Sequence, residues 1–102
     1  MAEAILVKGN YTGTLSKENV HIPVSNWALD TEASADYQYK GTINFPGITS
    51  KHIPEVIFSL EDATSGNFAP VCDSGENVVY VWASSIPETE IVVPVIRASL
   101  AQ

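Results

Sequence analysis

The residue types that most often carry chemistry in proteins are few in this 102-residue chain. It has two histidines, His21 and His52, and a single cysteine, Cys72. The histidines form no H-x-x-x-H or H-x-H spacing and lie away from the cysteine, so the sequence shows no zinc-site pattern. A single cysteine cannot form an intrachain disulfide, and we expect a buried, inert thiol because free cysteine is among the most buried residue types.

Hydrolytic chemistry has no clear signature either. The serines lie in segments such as "TLSKE", "ATSGN" and "CDSGE", none of which resembles a G-x-S-x-G nucleophile elbow. Three carboxylate pairs lie beside turn residues: Asp30 with Glu32, Glu61 with Asp62, and Asp73 with Glu76. Asp and Glu in such positions are typically solvated or cap turns, so a calcium site or a glycosidase pair is not favoured. We therefore predict no enzyme, no metal ion and no cofactor.

Aromatic residues offer another kind of chemistry, because their rings stack on sugars and dominate interface hot spots. The notable ones are Tyr11, Trp27, Tyr37, Tyr39, Tyr80 and Trp82. The last four have strand spacing, which predicts core packing. Trp27 follows a proline-interrupted segment in "PVSNWALD" and is, with Tyr11, our candidate ligand contact.

The charge pattern bears on partners. The formal net charge is −7, from 12 acidic and 5 basic residues that are dispersed along the chain. Without a basic stripe to neutralise phosphates, nucleic acid and membranes are not expected partners. The apolar runs are far shorter than the roughly 18 residues of a transmembrane helix. The start "MAEAILVKGN" lacks the basic region of a secretory signal, so we expect synthesis in the cytoplasm.

Several segments show the two-residue period of strands. In "DYQYKGTINF", Tyr37, Tyr39, Ile43 and Phe45 share one face, with Gly41 on that apolar side. "PEVIFSL" places Val56, Phe58 and Leu60 together, and "EDATSGN" after it reads as a loop.

The segment "ENVVYVWAS" is apolar on both faces, which indicates either a central strand or a strand that meets another subunit. The candidate interface consists of Val78, Val79, Tyr80, Val81 and Trp82. "TEIVVPVIRA" and "NVHIPV" are also strand-like, but Pro94 and Pro23 cannot donate ladder hydrogen bonds, which predicts sheet edges or bulges.

These elements predict an all-β fold, an antiparallel β-sandwich or a jelly-roll-like barrel. We expect residues 17–102 to form one domain. Residues 1–16 are predicted to be an N-terminal arm or short strands, which could anchor the chain to a virion or to another subunit.

The stretches "YKGTINFPGITSKHIPEVIFSL" and "SGNFAPVCDSGENVVYVWASSIPETEIVVPVIRA" resemble a C-terminal β domain of fibre and tail-associated proteins of tailed bacteriophages and prophages of Gram-positive bacteria. The resemblance covers residues 37–98. It implies a virion structural protein, part of a head or tail fibre or a decoration, which assembles as a homo-oligomer, most simply a trimer, and contacts other virion proteins. It also implies attachment to the host surface, with a glycan as one receptor class. The alternative from another class is a carbohydrate-binding module that uses exposed aromatic residues, and the discriminating feature would be aromatic side chains in a row on an exposed face or groove.

Overall fold

The computed structural model describes residues 14–100. Within that range the chain forms seven strands, one short α-helix and one turn of 3-10 helix at Val24–Asn26. The strands are β1 Thr14–Ile22, β2 Trp27–Leu29, β3 Tyr39–Asn44, β4 His52–Ile57, β5 Phe68–Gly75, β6 Val78–Ala83 and β7 Ile91–Leu100, and the helix is α1 Leu60–Thr64.

The strands form two antiparallel sheets that pack face to face. One sheet has the order β1-β7-β4 and the other the order β2-β3-β6-β5. The buried residues between them come from both sheets: Val20, Ile22, Trp27, Ile43, Phe45, Ile48, Val79, Val81, Ala83, Ile91, Val93, Ile96 and Ala98. Burial of this apolar layer is the main stabilising contribution. The predicted all-β sandwich is confirmed.

The four-stranded sheet has β6 as an inner strand, paired with β3 on one side and β5 on the other. Val79 and Val81 are buried, with 0% and 1% of their surface exposed, and face the core. The prediction that these two valines belong to a subunit interface is therefore wrong, because the sandwich itself covers them.

Trp27 fills the core beside a glycine. The ring is 5% exposed, and its centroid lies 5.9 Å from that of Phe68. Trp27 is the register partner of Gly41, where a Cβ atom would lie 2.9 Å from two carbons of the indole ring. Our candidate ligand contact Trp27 is thus a packing residue, since its ring is enclosed by the chain's own core.

The three-stranded sheet departs from the prediction for Pro94. β7 is the central strand, not an edge strand, and it pairs with β1 and β4. The pairing with β4 ends at Val95, and the pairing with β1 skips the position where Pro94 would meet Asn19, whose φ is 51°. Val93 and Ile96 are both buried, so the inward-facing positions of β7 change parity across the proline. A local break in the ladder accommodates Pro94 within a central strand.

β1 begins earlier in the chain than the predicted domain. The strand includes Thr14, paired with Ser99, so residues 14–16 lie in a strand of the sandwich, in agreement with the short-strand alternative. Tyr11 and the rest of the predicted arm lie outside the described residues. β1 ends at Ile22, and Pro23 follows it with φ −62°.

A short helix stands where the sequence predicted a loop. Leu60 begins α1 and is 80% exposed, whereas Val56 and Phe58 pack against the core as predicted. The Ser59 hydroxyl accepts a hydrogen bond from the backbone N–H of Asp62 at 3.2 Å and caps the helix. The cap ends the strand-like period of "PEVIFSL" before Leu60.

Polar groups join the two sheets where β4 meets β5. The hydroxyl of Ser74, a buried residue of β5, lies 2.8 Å from the His52 carbonyl and 2.9 Å from the Thr49 carbonyl. The Cys72 thiol lies 3.4 Å from the Pro54 carbonyl along the same seam. These contacts fix one edge of the four-stranded sheet to the edge of the other.

Candidate functional site

The candidate site lies on the solvent side of the four-stranded sheet, here called the outer face. β6 contributes Val78, Tyr80 and Trp82, which are partly buried and alternate with the core valines. In the sheet register, Trp82 pairs with Lys40 of β3, and Tyr80 pairs with Asp73 of β5. The outer face therefore combines aromatic rings with charges of both signs.

Tyr80 is held by its neighbours on either side. The Lys40 ammonium nitrogen lies 4.7 Å from the centre of the Tyr80 ring, which is cation–π geometry. At Gly75 of β5, an added Cβ atom would lie 3.2 Å from Cε2 of Tyr80, so the ring rests close to the β5 backbone. The Lys40 side chain therefore lies over Tyr80 and places a positive charge on the outer face.

Trp82 is fixed by a carboxylate. Its indole N–H donates a hydrogen bond to Oδ2 of Asp30 at 3.1 Å, and the backbone N–H of Glu32 donates to Oδ1 of the same residue at 3.1 Å. The hydrogen bond from Trp82 is the main cause that lowers the pKa of Asp30. The hydrogen bond from the Glu32 backbone and the positive charge of Lys40 lower the pKa further. Asp30 therefore remains ionised and orients the indole ring at neutral pH.

A groove of about 410 Å³ opens beside this pair. Its principal lining residues are Asp30, Glu32, Tyr37, Lys40, Val71 and Trp82. The register of β5 against β6 is irregular between Phe68 and Cys72, which pair with Ala83 and Val81 on either side of Trp82. Val71 in that irregular stretch is 64% exposed. The arrangement offers an aromatic surface, an apolar wall and polar groups at the rim.

The positions of the aromatic residues differ in part from the prediction. Tyr39 packs against the core as predicted, whereas Tyr37 precedes β3 and lines the groove. Trp82, predicted to pack in the core and also named as an interface residue, lines the groove as well. Trp27 is buried away from solvent, and Tyr11 is outside the described residues. One signal in the sequence could have identified the groove. Trp82 carries a polar N–H and its neighbours in β6 are aliphatic, so the valines are favoured for the core and Trp82 for the solvent side of the strand.

The other chemistry-bearing residues have structural roles. His21 Nδ1 lies 2.7 Å from a Glu90 carboxylate oxygen on the exposed surface. His52 is buried, and its Nδ1 accepts the Thr49 backbone N–H at 3.0 Å. Among the ring contacts found in residues 14–100, neither imidazole meets a serine hydroxyl. Asp30 caps a turn through the Glu32 N–H, as we predicted for acidic pairs of this kind.

Across positions 14–100, no group of three or more His, Cys, Asp or Glu side chains is placed to hold a metal ion. No helix within that range is long and apolar enough to cross a bilayer. Burial raises the pKa of the Cys72 thiol, and the charges of Asp73 and Glu55 raise it further.

The chain is an all-β, two-sheet antiparallel sandwich with a groove of aromatic and polar residues on its four-stranded sheet. Comparison of the chain with protein-family models, curated proteins and solved structures gives no match.

Proposed function

We propose that this chain is a non-enzymatic structural protein of a bacteriophage particle, exposed on the virion, and that the outer face contacts a partner. The observation that carries the proposal is the position of the "YVWAS" strand. That strand is part of the phage-like pattern over residues 37–98, and as β6 it places Tyr80 and Trp82 outward in the middle of the sheet.

The composition of the outer face supports a contact surface. Tyr and Trp are enriched in binding hot spots because they combine a large apolar area with a polar group. Here Trp82 lines the groove together with Val71, which is largely exposed, and the Lys40 ammonium group lies over the Tyr80 ring. A face with aromatic centres and a charged rim is typical of protein interfaces.

Homo-oligomerisation, with a trimer favoured, belongs to this proposal. Of the candidate interface residues, Val78, Tyr80 and Trp82 face outward, and we assign the trimer contact to Val78 and Tyr80, which do not line the groove. Light scattering of the 102-residue chain over a concentration series measures the mass directly. We expect a trimer, and we expect Tyr80→Ser to lower the mass to that of a monomer.

The matched control is Ile53→Ser. Ile53 is 59% exposed on the three-stranded sheet, so this variant removes apolar area from the opposite side of the molecule and should keep the trimer. Circular dichroism checks that both variants are folded. A monomer at every concentration would contradict self-association, and a trimer that survives Tyr80→Ser would place the interface elsewhere.

Particle association is tested separately. Phage particles are purified on a density gradient from the organism that encodes the chain, and their proteins are quantified by mass spectrometry. Peptides of the chain at a fixed ratio to the major capsid protein support a virion component. Peptides found only in the unassembled fraction would refute this part of the proposal.

A further inference from the structure

We propose that the groove beside Trp82 is a binding site for a short neutral saccharide. The inference rests on the proposed role of the outer face in contacting a partner, and it names the chemical class of that partner. Three properties of the groove carry it: a fixed aromatic surface, a mixture of hydrogen-bond donors and acceptors, and a size suited to a small ligand.

The aromatic surface is already ordered before any ligand arrives. The Trp82 N–H is bound to the Asp30 carboxylate, and Asp30 is itself bound to the Glu32 backbone. A sugar that stacks on the indole therefore need not order this side chain, which reduces the entropic cost of binding. Tyr37 adds a second aromatic side chain to the lining, and Val71 adds an apolar wall.

The polar groups match hydroxyls better than they match an ion. The carboxylates of Asp30 and Glu32 are acceptors, and the ammonium group of Lys40 is a donor. An anion would face two carboxylates, and a cation would face Lys40. A sugar hydroxyl both donates and accepts, so it can use all three groups without bringing a charge into the groove.

The size also fits. Small-molecule sites typically have volumes of roughly 300–1,000 Å³, and the groove, at about 410 Å³, lies near the lower end. A short saccharide, or the end of a longer one, is therefore the expected occupant.

The two indole groups of the chain provide the test. In the ¹H–¹⁵N NMR spectrum of the ¹⁵N-labelled 102-residue chain, the Trp82 N–H reports on the groove, and the buried Trp27 N–H is an internal control. The probes are glucose, galactose, N-acetylglucosamine, N-acetylgalactosamine and rhamnose, each also as a disaccharide. Choline and N-acetylneuraminic acid serve as charged probes.

We expect at least one neutral probe to shift the Trp82 signal saturably, with an affinity on the order of millimolar, while the Trp27 signal stays in place. Trp82→Ala and Tyr37→Ala should each weaken binding about tenfold, followed through the backbone signals of the groove. Tyr37 lies outside the strands, so its variant tests the site even if Trp82→Ala fails to fold. Ile53→Ser is the matched control, because Ile53 is exposed on the three-stranded sheet and is not among the residues that line the groove.

Three results would overturn the inference. The Trp82 signal could be unaffected by every neutral probe at about 50 mM, well above the expected affinity. Choline or the anionic sugar alone could shift it, which would assign the groove to charged ligands. The chain could form a trimer in which Trp82 is covered and no sugar binds. The last result would refute the saccharide and still support the virion role, so the two proposals fail separately.

Discussion

Gly41→Ala tests how closely the two sides of the core fit together. An ideal Cβ atom at Gly41 would lie 2.9 Å from Cε3 and Cζ3 of Trp27 and 3.0 Å from Cη2. These are ring carbons of a buried side chain, so the indole cannot simply turn into solvent. We expect the added methyl group to displace the ring or to separate β2 from β3.

The magnitude follows from two opposing effects. Overpacking a buried site typically costs about 1–3 kcal/mol, and three simultaneous close contacts place Gly41→Ala in the upper part of that range. Replacing glycine also restricts the unfolded chain, which stabilises the protein by about 0.4–1 kcal/mol. The net expectation is a loss of about 2 kcal/mol in the free energy of unfolding, or about 10 °C in Tm for a domain of this size.

Urea denaturation followed by tryptophan fluorescence measures this loss, and a double-mutant cycle locates its cause. In a Trp27→Leu background the clashing ring is gone, so Gly41→Ala should be neutral or stabilise by up to about 1 kcal/mol, which gives a coupling energy of about 2–3 kcal/mol. Gly75→Ala is the matched control in the same sheet, because its Cβ would meet outward side chains that can move. A change below about 0.5 kcal/mol for Gly41→Ala, or an equal loss in the Trp27→Leu background, would refute the reasoning.

Three further outcomes are expected. Ser74→Ala should lower the free energy of unfolding by about 1–2 kcal/mol, because it removes the buried hydroxyl that bonds the His52 carbonyl, and urea denaturation checks this. Trp82→Phe should raise the pKa of Asp30 toward its ordinary value, which ¹³C NMR of the carboxyl group measures, and an unchanged pKa would contradict the role of the indole. With the native indole, the stabilisation from the lowered pKa is complete above about pH 4 and is lost as the pH falls through the pKa of the folded state. Cys72 should react with a disulfide reagent at pH 8 more slowly in the native protein than in urea, since its pKa is raised, and equal rates would be the opposite result.

Local periodicity predicted the parts of the fold in which one face of a strand is plainly apolar. β3 is such a strand, since Gly41 and Ile43 face the core and Lys40 and Thr42 do not. The alternation alone determines which side is buried, because a shift by one residue would expose the whole apolar set.

Periodicity failed where a tertiary contact overrides the local pattern. Pro94 predicted a sheet edge or a bulge. β7 is instead a central strand, in which the ladder skips the position of Pro94 and Asn19 and the strand resumes with the other parity. Leu60 continues the apolar spacing of β4 in the sequence, but it is the first residue of α1, because Ser59 directly before it caps the helix. A break shared by two strands distant in sequence leaves no periodic signal in either strand alone.

The candidate site depended on a choice that the sequence left open, namely which face of β6 is buried. Both faces are apolar, so hydrophobicity cannot decide between Val79 with Val81 and Tyr80 with Trp82. The structure buries the aliphatic pair, and the aromatic pair faces outward. This choice agrees with the cost of burying an unpaired polar group, because the Trp82 N–H finds the Asp30 carboxylate on the outer face. Trp27 already occupies the interior with a buried N–H that has no hydrogen-bond partner among the described residues. A second indole there would add another such cost, and so the face of β6 that carries Tyr80 and Trp82 lies on the solvent side of the sheet.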